Sequence, residues 1–261
     1  MSLVIVLTLL ISGLIVGFVN TLSAGGTAIS IALYLALGLS PVEANATNRI
    51  GVLMQSSLSA MLFARKGYLK QKRVFILALA AMFGALLGSV LSLLIPMQAF
   101  SYAMGASLIV MLFFLFTAPK NFDTDNEEKL SAKNKPLHYI VFFLIGIYGG
   151  FVQVGTGFFL IAAGSMLLGA DIIRTNAIKA MVMTLYTIVA IIVFVQGGNV
   201  HWNFGLLHSA GTFIGSFVAT RIAFKKGAKF IRYIVIVVII FTALYLTGLI
   251  DMQTLFKNLL R

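Results

Sequence analysis

The chain has 261 residues, 60% of them hydrophobic and only 10% charged, with a mean hydropathy of +1.04. A soluble domain needs roughly a quarter of its residues charged, so this composition excludes one and leaves a polytopic membrane protein. The net charge of +12 would suit nucleic acid, but the basic residues fall in short gaps between apolar runs and offer no recognition face, while the lack of cysteine removes disulfides, thiol catalysis and thiolate metal sites.

Taken in chain order, the first apolar segment covers residues 3–22 and follows Met1-Ser2 with no basic region, which predicts a retained helix rather than a cleaved signal. It carries Gly13, Gly17, Phe18, Val19 and Asn20 and breaks at Ala24-Gly25-Gly26-Thr27. The second segment, 26–38, would be only about 20 Å long as a helix against a hydrocarbon core of about 30 Å, so the first two segments can form a broken or re-entrant hairpin. A third segment, 49–64, follows a polar stretch with Asn45, Thr47, Asn48 and Arg49, and the gap after it holds Arg65, Lys66, Lys70, Lys72 and Arg73. The fourth, 74–95, contains Gly84 and Gly88, whose spacing predicts close helix packing. The fifth covers 98–117 and precedes a charged linker, 120–136, which divides a first repeat (1–119) from a second (137–261).

The second half repeats the plan with segments at 137–154, 156–170, 177–196, 203–222 and 229–249. Gly146, Gly150, Phe151, Val152 and Gln153 match the first break and lead into Gly155-Thr156-Gly157, while Gly211 and Gly215 match Gly84 and Gly88. Charge counting then assigns sides. The basic gap 65–73 is expected in the cytoplasm and its uncharged counterpart 197–202 outside; the next pair of gaps reverses, with Pro96-Met97-Gln98 uncharged and Arg221, Lys225, Lys226, Lys229 and Arg232 on the other side. Equivalent loops facing opposite sides make an inverted-topology repeat, with both termini outside and the linker inside. The expected fold is therefore all-α, with a glycine-broken helix pair opening each repeat.

Glycine-interrupted segments at matching places in two halves are the sequence pointer to a transporter's binding site. Only Glu43 and Asp171, of seven acids, fall near the expected core, whereas a carboxylate-driven cation pump would keep acids in its spans. Basic and amide groups without acidic excess suit an anion. The helix starts after each break offer free N–H donors and the positive end of the dipole, so an oxyanion could be held by Gly25, Gly26, Gly155 and Gly157, with the hydroxyls of Thr27 and Thr156. Asn20 and Gln153 occupy equivalent positions before the breaks. The stretches ending in Arg49 and Lys179 align on Asn45-Ala46 and Asn176-Ala177, which sets Asn48 opposite Lys179 and adds all five polar residues to the candidate site; the alternative is that they cap helices at an interface while Arg49 and Lys179 snorkel. His208 reads as a packing residue or a proton-sensitive group, and His201-Trp202 as an interfacial anchor.

The glycine motif in each half, the Pro/Asn/Ala-containing turn, the basic Gly67-Tyr-Leu-Lys segment and the Gly-Ala-x-x-Gly repeat together resemble the TauE/SafE family of sulfite and organosulfonate exporters, over almost the whole chain. The resemblance implies a multi-spanning inner-membrane permease for sulfur-containing oxyanions such as sulfite. Here Ser23-Ala24-Gly25-Gly26 and Gly155-Thr156-Gly157 stand where the family often has a denser run of glycines. The expected function is export of such an anion by alternating access. An anion channel with the same pocket and a carrier of another small organic anion are the alternatives, and no nucleophile–base pairing suggests an enzyme. The expected partners are a small oxyanion and the bilayer, with a homodimer as the candidate assembly and no nucleic acid, cofactor or metal.

Overall fold

The computed structural model describes residues 1–104, 106 and 136–246. Most of the expected fifth segment, the linker up to residue 135 and the end of the last segment lie outside the described residues. Those described contain no strand, and their main helices are α1 (Leu3–Leu22), α2 (Gly26–Ala36), α3 (Pro41–Arg65), α4 (Lys72–Leu94), α5 (Pro136–Phe151), α6 (Thr156–Met166), α7 (Ile172–Gln196) and α8 (Trp202–Leu246). Within α8 the backbone leaves helical geometry at Gly227 (φ 71°, ψ −169°), which separates the two segments expected there.

Two helix starts come earlier than apolarity alone predicts, because the polar stretches before them carry caps. Pro41 occupies the first turn of α3, and Ser40 and Glu43 form a reciprocal capping box in which each side chain accepts from the other's backbone N–H. Asp171 caps α7 by accepting from the N–H groups of Ile173 and Arg174. The stretches expected to lead into the third segments are thus helical themselves. Asn45, Asn48, Arg49, Asn176 and Lys179 sit one to three turns inside α3 and α7 rather than at their starts.

The burial pattern is that of a protein in lipid. Large apolar side chains of α1, α4, α5 and α8 point outward, among them Ile11, Leu14, Phe83, Leu87, Leu144 and Ile214, while Ser, Thr and Asn crowd the interior. In a bilayer, apolar groups gain nothing by burial in protein and polar groups must find protein partners, so this inversion follows. Three helices, α1, α4 and α7, are long and apolar enough to cross a membrane by length and composition. Helices α2 and α6 are not: 11 residues each give about 16 Å.

Glycines set the crossings of the helices. Helix α1 packs on α8, and α4 packs on α5. A Cβ placed on Gly13 or Gly17 would lie 2.2 Å from the carbonyl oxygen of His208 or Thr212; one on Gly146 or Gly150 would lie 2.1 or 2.3 Å from that of Ala81 or Ala85. From the opposite side, a Cβ on Gly84, Gly88, Gly211 or Gly215 would lie 2.0 to 2.2 Å from backbone oxygens of α5 or α1. Backbone therefore lies against backbone along both seams, the packing expected of small residues four apart.

Candidate functional site

Helix α1 ends at Leu22 and α2 begins after Gly25; α5 ends at Phe151 and α6 begins after Gly155. Both glycines adopt the left-handed conformation, at φ 99° and 77°, which L side chains enter only at a cost of about 1–2 kcal/mol. Neither N-terminus of α2 or α6 is capped by a side chain, so both keep free N–H donors and the positive end of the dipole. The two breaks touch: a Cβ on Gly157 would come within 2.8 Å of the Ala24 Cβ and 3.6 Å of the Lys179 Cδ.

Each break is held by helix residues from the other half of the chain. At the first, the Lys179 ammonium donates to the carbonyl oxygens of Asn20 (2.9 Å), Thr21 (3.3 Å) and Ser23, and to Asn176 Oδ1 (2.6 Å). Asn176 Nδ2 donates to the Leu22 carbonyl at 3.3 Å. At the second, the Arg49 guanidinium donates to the carbonyls of Gly149 (3.1 Å) and Gly150 (2.6 Å), Asn45 Nδ2 to that of Phe151 (3.1 Å), and Asn48 Nδ2 to Gln153 Oε1 (3.2 Å). The physical logic is the same in both. A helix interrupted inside the protein presents unsatisfied carbonyls and a partial negative charge at its end, and a cation with side-chain amides satisfies them.

The alternative in which the two cations snorkel does not describe this arrangement. Arg49 is 0% and Lys179 2% exposed, and both point inward to backbone. Carbonyl dipoles solvate the charges without neutralising them. Among the described residues the one ion pair joins His201 to Glu43 at 3.1 Å, and the other described acid, Asp171, is occupied as a cap. Two buried cationic side chains thus stand beside the breaks with no carboxylate of the described residues against them, a situation that costs several kcal/mol per ion unless compensated.

Of the remaining candidates, Asn20 Nδ2 donates to Thr27 Oγ1 at 3.4 Å, Gly26 lies against the Asn20 amide, and Thr156 Oγ1 donates to the Gln153 carbonyl at 2.8 Å. Gln153 is the non-glycine residue with positive φ (64°) among those described, so the second break strains a side-chain-bearing residue where the first does not. All thirteen candidates lie in or against the two breaks. Arg174 lies apart from them, partly exposed in the first turn of α7. His208 is fully buried, packs its ring on Tyr34 (centroids 5.5 Å apart) and meets Ser30 Oγ at 3.5 Å.

A recess opens at Lys179, lined also by Asn20, Thr21, Gln55, Ser56, Ser59, Ala180 and Met183. Its α3 residues escape a reading based on apolarity, because Ser and Thr in membrane helices commonly serve packing. The one signal for them is the spacing of Gln55, Ser56 and Ser59, which shares a helix face.

An all-helical bundle with a lipid-facing apolar surface, short helices that cannot cross a bilayer and two apposed breaks beside buried cations defines a membrane transporter. Comparison with known proteins agrees. The profile of the family described as Sulfite exporter TauE/SafE matches residues 9–246, and the chain belongs to that family. It is similar to "Probable membrane transporter protein ORF9" of Sinorhizobium sp, at 29% identity over 91% of this chain and 90% of the relative. It also resembles a "Probable membrane transporter protein" of Haemophilus influenzae, at 26% over 86% and 88%, and YfcA, a "Probable membrane transporter protein" of Escherichia coli, at 23% over 86% and 83%. No solved structure matches the chain.

Proposed function

We propose that this transporter exports a small sulfur-containing oxyanion, such as sulfite or an organosulfonate, across the cytoplasmic membrane by alternating access, with the anion held between the two helix breaks. The observation that carries the reading is the pair of buried cations, Arg49 and Lys179, at the breaks without a carboxylate among the described residues. An entering anion supplies the missing counter-charge, and the uncapped starts of α2 and α6 supply N–H donors. The family description adds sulfite to the chemistry. The thirteen candidate residues then divide into those that bind through backbone (Gly25, Gly26, Gly155, Gly157), those that shape the breaks (Asn20, Thr27, Gln153, Thr156) and those that brace them (Asn45, Asn48, Arg49, Asn176, Lys179).

We read the two halves as inverted repeats, 1–119 and 137–261 around a cytoplasmic linker, with both termini outside. The matching left-handed glycines at 25 and 155, 38 and 169, and 67 and 198 support duplication. The Glu43–His201 contact, which joins the start of α3 to the start of α8, supports the sidedness. Export has a driving force, since an inside-negative potential favours anion exit by about 2.3 kcal/mol per charge per 100 mV.

The test is efflux of labelled sulfite from proteoliposomes. The expected result is saturable efflux that accelerates under an inside-negative potential and is lost in Lys179→Met. Flux indifferent to the potential and to Lys179→Met would sink the reading, and unitary currents in a planar bilayer would replace the transporter with a channel.

A further inference from the structure

The two cations are not equivalent. The Arg49 guanidinium is covered by the buried Phe194 ring, 4.6 Å from its centroid. Lys179 instead lines the recess between α1, α3 and α7. We propose that this recess, water-sized at about 10 Å³ and widened when the anion enters, is the selective oxyanion subsite, with Lys179 supplying charge and Thr21, Gln55 and Ser56 supplying the donors that recognise the anion's oxygens. The proposal rests on the anion-export reading above and assigns residues to it.

Three features carry it. First, the four oxygens around the Lys179 ammonium exceed its three hydrogens, so it can offer an anion its field but no spare donor, and the oxygens must be met by other groups. Second, the Thr21 and Ser56 hydroxyls in the recess are loosely engaged. The Thr21 and Ser59 hydroxyls stand 3.4 Å apart, and Ser56 donates to the Leu53 carbonyl at 3.4 Å, beyond the 2.5–3.0 Å of a good O–H···O bond. They can turn to a ligand at little cost. Ser59 instead donates to Ser216 Oγ at 2.8 Å, and Ser216 to the Gln55 carbonyl at 2.9 Å, which fixes the wall of the recess.

Third, Gln55 is 3% exposed and its Oε1 has no hydrogen-bond partner among the described residues. A buried amide with an orphaned end is costly, and this one borders the recess. A half-turn of the amide places either its NH2 or its oxygen at that position. It can therefore donate to an oxyanion, or accept from a protonated one such as hydrogen sulfite. Among the described residues no carboxylate lines the recess, so no fixed anion there competes for Lys179.

The experiment is sulfite binding to the purified full-length protein, read as ligand-dependent thermal stabilisation, with sulfate, thiosulfate and sulfoacetate alongside. Wild type is expected to be stabilised by sulfite. Gln55→Ala and Ser56→Ala should each weaken that binding about tenfold, the loss expected for one hydrogen bond to a charged group, while melting near wild type without ligand. Gln55→Glu, which puts a fixed carboxylate in the recess with the ammonium, should remove the sulfite-dependent shift. Wild-type affinity in both alanine variants, or a preserved shift in Gln55→Glu, overturns the subsite and leaves the export reading standing. Failure of every oxyanion to stabilise wild type overturns both.

Discussion

The two helix breaks occupy the same place in their halves, yet the protein secures them differently. At the first, a flexible ammonium gathers three carbonyls and an amide oxygen from Lys179, on the helix that also frames the recess. At the second, a planar guanidinium clamps two adjacent carbonyls of α5 and is sealed by Phe194, while Gln153 sits at positive φ and is tied to Asn48. Each break thus has its own buried cation, held rigidly beneath Phe194 at the second and beside the recess at the first.

The comparison can be broken hardest where the two regions are alike. Gly17→Ala and Gly150→Ala both press a methyl group into backbone, at 2.2 Å from the Thr212 carbonyl oxygen and 2.3 Å from that of Ala85. A carbonyl in a packed helix cannot yield as a side-chain end can, so each should cost about 3 kcal/mol or prevent folding. Denaturation in detergent checks this, and a wild-type midpoint for one variant alone would show that the seams are not equivalent.

An exchange of the two cations should show the difference between the breaks. Lys179→Arg brings a larger planar group into the oxygen cage and the recess, and sulfite flux in proteoliposomes should fall more than tenfold. Arg49→Lys keeps a charge beneath the Phe194 ring but loses the two-pronged clamp. It should retain flux within a few-fold while melting lower, and equal flux losses in the two variants would contradict the division of roles.

The smallest effect concerns the caps, which also differ between the halves. Glu43 lies at the partly exposed start of α3, ahead of the apolar stretch 49–64, and its carboxyl is held below the ordinary carboxylate range, chiefly by the backbone N–H of Ser40 and then by His201. A depressed folded-state pKa gives stability that is fully present above the unfolded-state pKa and lost as pH falls through the folded one. Wild type should therefore lose a little stability below about pH 4.5, and Glu43→Gln should flatten that part of the melting curve. The same acid slope in both proteins would assign it elsewhere.

Much of this organisation is legible in the sequence because it depends on side-chain size and apolarity. Gly25 and Gly155 mark their breaks, and Gly84, Gly88, Gly211 and Gly215 mark the seams, since no other residue allows backbone contact. What escaped depends on groups every residue carries. Nothing in the side chains of Asn20, Thr21, Gly149 or Gly150 announces that their carbonyls solvate a cation, because the fold alone decides which carbonyls are orphaned. The early starts of α3 and α7 were hidden for a different reason. Apolarity locates the lipid-embedded part of a helix, whereas Ser40-Pro41-Val42-Glu43 and Asp171 encode its beginning through hydrogen bonds.

The glycine seams bear on how such a molecule can move. They join α1 to α8 and α4 to α5, so each tight pair takes one helix from either side of the linker. Interfaces with backbone in van der Waals contact do not slide in small increments. A transport cycle that keeps them shut would carry α1 with α8 and α4 with α5. Any rocking would then be between exchanged pairs rather than between the first and second parts of the sequence, with the bend falling where α1 gives way to α2 and α5 to α6.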